Sequence, residues 1–375
     1  MIKKIVYVVN ADWYFQLHWL DRAKAAKNAG MDVLVVAPLG QSEARRAIER
    51  EGIRVVPWPV SRSGRNPLKE FYATIKLAKI LKSEAPDLVH SITVKPNIYV
   101  LFLRLILRFK VVVSVTGLGM LFTSPKFLDR ATSVIVRTIY AMASRSSYIF
   151  FENNDDLQVI KNVNIAKQSN LMRVMGAGVS ANDYTFSTPK ALEGELILFF
   201  AARLLKPKGL DILYDSVSEL NHQGYKVKLA VAGISDPDSP VSISQDQIVS
   251  WSQDPFFEFL GKRDDIPDLI KESHFVCLPT TYGEGIPRIL IEAAAMGRPI
   301  ITSNVAGCRE ICEHRFNGFL VEPGSSQGIV DSVKEIFENP ELLSDMSRNS
   351  RSVFERGYDS EKVINFTLAA YDKIE

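Results

Sequence analysis

Short, almost wholly apolar runs rich in β-branched residues recur along this chain, each followed by a longer stretch with helical spacing. In the first half they fall at 5–10, 33–37, 54–58, 87–91, 111–115 and 148–152, with helical patterns such as 17–29, stopped by Gly30, and 68–84 between them. A strand that is apolar at nearly every position has no face to offer water, so it belongs in a parallel sheet covered by helices on both sides. The alternation starts again at 196–201 and continues through 227–232, 256–260, 275–278 and 299–302; everything after Pro340 reads as helix. A polar stretch at 187–195, carrying Pro189 and Gly194, separates the two series. With 375 residues to distribute, the chain is expected to be α/β, with two doubly wound, Rossmann-like domains facing across a cleft. The expected boundaries are 1–188 and 189–355, with a C-terminal helix over 356–375 packing back on the first domain. Ligands of such sheets lie beyond the carboxyl ends of the strands.

Charge narrows the partners. The whole chain has 45 Lys+Arg against 43 Asp+Glu, a net of +2 that speaks against nucleic acid. Residues 1–190, however, carry 27 against 14, and residues 191–375 carry 18 against 29. A strongly basic half points to an anionic partner for that half. Cys277, Cys308 and Cys312 are too few for a disulfide framework and lack company at zinc-ligand spacing, so reduced cytoplasmic thiols are expected. The apolar run at 5–9 is shorter than a signal-peptide core, and the membrane-like window 98–118 is broken by Arg104, Arg108 and Lys110.

Two segments of the second half carry chemistry. Phe200-Ala-Ala-Arg-Leu-Leu-Lys-Pro-Lys-Gly209 follows a strand and opens a helix, placing Arg203 and Lys208 where a diphosphate is favoured. The same spacing also suits a solvated basic loop. In the second, Leu278-Pro-Thr-Thr-Tyr-Gly-Glu-Gly-Ile-Pro-Arg-Ile-Leu-Ile-Glu-Ala-Ala-Ala-Met-Gly-Arg-Pro-Ile300, a loop carries Glu284 and a helix holds Glu292 among apolar residues. A carboxylate there needs hydrogen-bond donors. The paired hydroxyls of a ribose would serve, and so would a structural partner such as an arginine.

Glu284 and Glu292, with seven residues between them, resemble the E-x7-E signature of retaining GT-B glycosyltransferases of family 4, the group 1 glycosyltransferases. Arg203 and Lys208 resemble that family's Arg/Lys pair. Ala232-Gly233, Phe259-Leu-Gly261 before Arg263-Asp264, Ala306-Gly-Cys-Arg-Glu-Ile311 and Asn317-Gly-Phe-Leu-Val-Glu-Pro-Gly324 agree in order. In the first half, Asn10-Ala-Asp-Trp-Tyr-Phe-Gln-Leu-His18, His90-Ser-Ile-Thr-Val-Lys-Pro-Asn97 and Thr116-Gly-Leu-Gly119 resemble members that build lipid-linked, capsular or O-antigen polysaccharides.

The resemblance implies a division of roles, with the first domain binding acceptor and the second the nucleotide-sugar donor. Arg203, Lys208 and Glu284 would be catalytic. Donor binding would add Glu292 on the ribose, amides of Gly285 and Ile286 on the diphosphate, and Arg263 near the base. Arg288 would replace with charge the amide donor that Pro287 removes. On the acceptor side stand Asn10, His18, Lys95, Thr116 and Gly117; Thr116 occupies a place where many members carry His, so no role for that His is transferred, and His18 is equally suited to packing or capping. The implied reaction moves a hexose, an N-acetylhexosamine by preference, from a UDP-sugar to a polyprenyl-diphosphate-linked saccharide with retention, and needs neither metal nor cofactor. The basic residues Lys3, Lys4, Arg62, Arg65, Lys95, Arg104, Arg108, Lys110, Lys126 and Arg130 would bring the enzyme to the inner face of the plasma membrane as a peripheral protein. A soluble acceptor and a GT-B sugar-nucleotide epimerase are the alternatives. A nicotinamide-dependent dehydrogenase is disfavoured because residues 8–18 contain no glycine, and a non-catalytic sugar-binding protein because no export signal is read.

Overall fold

The computed structural model describes residues 2–61, 66–118, 127–236 and 239–374, with 127–132 described by their backbone alone. Gly119, Arg62, Arg65, Lys126 and the side chain of Arg130 lie outside the described residues. The chain forms two compact units, Met1–Ala177 with Ser360–Glu375, and Gly178–Asp359.

In the first unit, β1 (Lys4–Val8), β2 (Asp32–Pro38), β3 (Arg54–Trp58), β4 (Leu88–Ile92), β5 (Lys110–Val115), β6 (Tyr148–Phe151) and β7 (Leu171–Arg173) form one parallel sheet. Its order is β3-β2-β1-β4-β5-β6-β7, so the sheet reverses direction of growth between β1 and β4. Because side chains alternate across a strand, Val6, Leu34, Val36, Val111 and Val113 point to one face and Ile5, Tyr7, Val33, Val35 and Val112 to the other. Leu77, Val100 and Tyr140, from helices Pro67–Glu84, Val94–Arg104 and Phe127–Ala143, cover the first face. Phe15, Trp19, Ala23 and Tyr371 cover the second. The continuous apolar runs thus have the physical cause inferred for them: both faces are dry.

The second unit repeats the plan. β8 (Glu195–Ala201), β9 (Lys226–Ala232), β10 (Phe257–Gly261), β11 (Phe275–Leu278), β12 (Ile300–Ser303) and β13 (Gly318–Val321) form a parallel sheet in the order β10-β9-β8-β11-β12-β13. Here the reversal falls between β8 and β11.

Three differences from the sequence reading have local causes. The edge strands β7 and β13 were not anticipated, since three or four residues show no readable alternation and gain their pairing only from a neighbour. The single helix expected over 17–29 is two, Asp12–His18 and Leu20–Asn28, hinged at Trp19, which is buried with the Arg22 guanidinium 4.1 Å from its ring centre. The division between units lies at 177/178, eleven residues before the expected 188, and the second crossing at 359/360. Arg298, wholly buried, explains the first shift: its guanidinium donates to the carbonyls of Ile270, Lys271 and Met296 and to both oxygens of Ser187. The segment before β8 is therefore bound to the second unit.

The final helix, Ser360–Asp372, belongs to the first unit. Its Tyr371 hydroxyl lies 3.0 Å from that of Tyr7 and 2.6 Å from His90 Nδ1, while His90 Nε2 meets Ser114 Oγ at 2.8 Å. Recounted on these units, the charges are 28 Lys+Arg against 16 Asp+Glu and 17 against 27, so the asymmetry survives. Among the described residues, no helix is long and apolar enough to cross a membrane.

Candidate active site

The predicted donor residues other than Arg263 gather beyond the carboxyl ends of β8 and β11, where the second sheet reverses. Open parallel sheets leave a crevice at such a point, because the connections on either side run to opposite faces. Arg203 follows β8 directly, and Lys208 ends the short 3-10 turn Lys206–Lys208. Gly209 adopts φ +78° and lies so close to the Pro279 carbonyl that a Cβ would collide with it. That approach seats the loop after β8 against the loop after β11, with further bonds from Thr281 N (2.8 Å) and Thr280 Oγ1 (3.0 Å) to the Pro207 carbonyl. On the other side Gly307, at φ +84°, admits the Glu284 and Gly285 carbonyls, and Glu284 N donates to Ala306 O at 3.2 Å. Three successive loops are thereby zipped around Glu284.

Within this frame Lys208 Nζ lies 2.5 Å from Glu284 Oε2, and 5.4 Å from the Tyr282 ring centre. Lys208 is buried. Burial disfavours its charge, but Glu284, then Tyr282 and Cys308, outweigh that and hold the ammonium above its usual value. Arg203 Nη1 donates to Asp236 Oδ2 at 2.9 Å. Neither cation is the solvated loop charge that the spacing alone permitted.

Glu292 lies in the helix Arg288–Ala295, buried among Ile289, Leu290, Ile291 and Ala293. Arg288 Nε, one turn earlier, and the Tyr184 hydroxyl both donate to its Oε1 at 2.8 Å. Burial raises the Glu292 carboxyl above the ordinary range; Arg288 and Tyr184 oppose the shift. The structural partner considered for Glu292 is thus present, and it is Arg288, whose guanidinium is engaged here. Gly285 and Ile286 sit at the entry to this helix, with Ile286 buried. Arg263 is not brought into the cluster by any contact described: it forms an exposed two-pronged pair with Asp265.

Asn10, Lys95, Thr116 and Gly117 of the first unit follow β1, β4 and β5, three adjacent strands, again at a reversal. Asn10 Oδ1 accepts from Thr93 Oγ1 at 3.0 Å, and Lys95 Nζ is 2.8 Å from Glu70 Oε1. His18 is in the last turn of the helix Asp12–His18, with its ring 4.3 Å from that of Tyr14. Sequence reasoning missed Asp236, Tyr282 and Tyr184. Tyr282 stood inside the quoted loop; Asp236 and Tyr184 reach the site only through folding and left no spacing to read. Among the described residues, no group of three or more His, Cys, Asp and Glu is placed to hold a metal ion.

Known proteins that this chain resembles are glycosyl transferases. Residues 184–353 match the family model for glycosyl transferases group 1, and residues 4–153 match the glycosyl transferase 4-like model. The chain is 24% identical over 370 residues to the N,N'-diacetylbacillosaminyl-diphospho-undecaprenol alpha-1,3-N-acetylgalactosaminyltransferase of Campylobacter jejuni, covering 94% of this chain and 93% of that one. It is 31% identical over 106 residues to the UDP-Gal:alpha-D-GlcNAc-diphosphoundecaprenol alpha-1,3-galactosyltransferase of Escherichia coli, 28% of this chain and 27% of the other. Among solved structures, Anabaena HepE in complex with UDP and glucose superposes with a TM-score of 0.78 at 18% identity, over 99% of this chain and 100% of that chain. The two family models, with residues 154–183 between them, together match most of the chain: a glycosyl transferase 4-like region is followed by a glycosyl transferases group 1 region, and the fold is GT-B.

Proposed function

We propose that this enzyme transfers a hexose, an N-acetylhexosamine by preference, from a UDP-sugar to a polyprenyl-diphosphate-linked saccharide, with retention at the anomeric carbon. The observation that carries the reading is the Lys208–Glu284 pair at the β8/β11 reversal, with Arg203 beside it on the same loop. An incoming diphosphate competes with Glu284 for Lys208 and with Asp236 for Arg203, exchanging carboxylate partners for phosphate oxygens. Glu284, released from Lys208, is then free to accept from hydroxyls of the donor hexose. As the bond from the anomeric carbon to the diphosphate oxygen breaks, negative charge grows on the leaving UDP, and two fixed cations stabilise it more than they stabilise the ground state. The acceptor hydroxyl attacks from the face that UDP leaves, and a phosphate oxygen of the leaving group takes its proton. This route asks for no protein base and no metal, since Arg203 and Lys208 supply the neutralising charge. Arg263, near the loop after β10, is assigned to the base, and Gly285 and Ile286 to the diphosphate.

The acceptor side rests on Asn10, Lys95, Thr116 and Gly117, and on the surface of the first unit. Helices Pro67–Glu84 and Val94–Arg104 expose Phe71, Ile75, Ile98 and Phe102 around a groove of about 570 Å³, with Ile106 at its end. Lys69, Lys79, Lys82 and Arg108 are exposed on or next to the same helices. Apolar side chains among cations suit contact with an anionic bilayer, where a lipid-linked acceptor resides. The enzyme then works as a peripheral protein at the inner face of the plasma membrane. The names of the Campylobacter and Escherichia relatives specify diphospho-undecaprenol sugars, which supports this choice of acceptor.

The test is a panel of UDP-hexoses offered to the purified chain with a polyprenyl-diphosphate saccharide, scoring UDP release and the anomeric configuration of the product by NMR. One donor is expected to give acceptor-dependent release and a retained product. No release with any nucleotide sugar would refute the reading. Equal turnover with a free saccharide would move the acceptor to the soluble class, and an inverted product would remove the front-face step.

A further inference from the structure

Glu292 is held in an unusual manner. Two donors from different parts of the chain, the Tyr184 hydroxyl and Arg288 Nε, converge on its Oε1, each at 2.8 Å. No described residue donates to Oε2. The carboxylate is buried in a helix whose neighbouring side chains are apolar, an environment that penalises a charge unless its oxygens are satisfied. A carboxylate has about four acceptor sites, and here the protein occupies one oxygen and leaves the other. Tyr184 comes from the segment leading into β8, bound to the second unit through Ser187 and Arg298. Burial, and next the charge of Glu292, push its hydroxyl far above the ordinary phenol range, so it remains a donor.

We infer that Tyr184 is a positioning residue that sets ribose specificity: with Arg288 it fixes Glu292 through Oε1 and presents Oε2 to the paired hydroxyls of the donor ribose. This rests on the assignment of Glu292 to the ribose. A hydroxyl pair reads as two donors, and a carboxylate oxygen held in one orientation rejects a sugar that lacks one of them, because the oxygen is then left buried and unpaired. Without Tyr184 the carboxylate retains only its partner one turn earlier on the same helix, and its orientation is set from one side.

The experiment is calorimetric titration of the full chain with UDP, 2′-deoxy-UDP and 3′-deoxy-UDP, for wild type and Tyr184→Phe, with thermal melting of each. Wild type is expected to prefer UDP over at least one deoxy analogue by about tenfold or more, the scale of one hydrogen bond to a charged group. Tyr184→Phe should bind UDP about tenfold more weakly while its affinity for that analogue changes little, so the preference narrows. In turnover the loss should fall on the donor KM more than on kcat. An unchanged UDP affinity, or an equal loss for all three ligands, would overturn the inference, since a packing role alone predicts one or the other. Should Tyr184→Phe melt much earlier, Arg288→Gln removes the second donor on the same oxygen and must narrow the preference likewise. A wild type that binds UDP without preference overturns the ribose assignment itself, and this inference with it; a wild type that does not bind UDP overturns the donor reading.

Discussion

The two units share a plan, an all-parallel sheet that reverses between its first and fourth strands in chain order, and keep their charge in opposite ways. The second unit is acidic in sum, yet the cations proposed to act on the donor are few, sheltered and already paired: Arg203 with Asp236, Lys208 with Glu284, Arg288 with Glu292. The first unit is basic in sum, and many of its cations stand on the surface beside exposed apolar side chains. Net charge therefore describes neither site. What matters is whether a cation is fixed where charge develops, or spread over a face that meets a charged surface. The first arrangement stabilises a transition state; the second contributes a small increment per residue and is weakened by salt.

The largest effect should come from the paired cations. Lys208→Ala or Glu284→Ala is expected to lower transfer by about a hundred- to a thousandfold, the scale of one lost electrostatic stabiliser, with the far-UV circular dichroism retained. Full activity in either variant would dissolve the contrast between the units at its stronger end.

Acid should act on the first unit through His90, which is buried and held well below its usual value, first by burial and then by Arg22. A neutral buried imidazole binds no proton when the unfolded chain does, so its contribution is complete above about pH 6.5 and is lost as pH falls from there toward the depressed folded value. The loss is about 1.4 kcal/mol per pH unit. Hydrogen exchange between pH 7 and 5 should show protection falling in β1, β4 and the helix Ser360–Asp372, which meet at Tyr7, His90 and Tyr371. His274 shifts in the same direction from its own burial, so the comparison is of slopes; a steeper slope in β8–β13 would reverse it.

The smallest single effects belong to the surface of the first unit. Reversal of one cation, Arg108→Glu or Lys79→Glu, should weaken binding to anionic vesicles several-fold, on the basis of about 1 kcal/mol per basic residue near the surface. Phe102→Ser should weaken it at high salt as well, which charge reversal does not. Sedimentation with vesicles at two salt concentrations separates the two contributions, and binding indifferent to all three changes would remove this face from any membrane role.

Much of the architecture was legible because its cause is local. An unbroken apolar strand has few ways to be dry, and eleven of the thirteen strands among the described residues were located by that property. Glu292 was legible for the same reason, since a carboxylate in an apolar helix calls for a partner; Glu284, in the loop before it, was singled out by the resemblance of the pair to a family signature. The identity of the partner was not legible. Arg288 sits one turn away and could be named, but Tyr184 is 108 positions distant. Asp236 likewise faces Arg203 across a loop. Arg263 pairs with Asp265, a neighbour only two residues away.

The amino-acid sequence by itself determined the α/β class, the two sheets, the unequal charge and the loops that bear Arg203, Lys208 and Glu284. These depend on hydrophobic pattern and composition, which act over a few residues at a time. Only the tertiary structure decided that Gly209 and Gly307 let three loops close on Glu284, that Arg298 binds the crossing segment to the second unit, and that Tyr184 and Arg288 share one oxygen of Glu292. Those depend on the close approach of segments far apart in the chain, where a missing Cβ or one hydroxyl decides the contact.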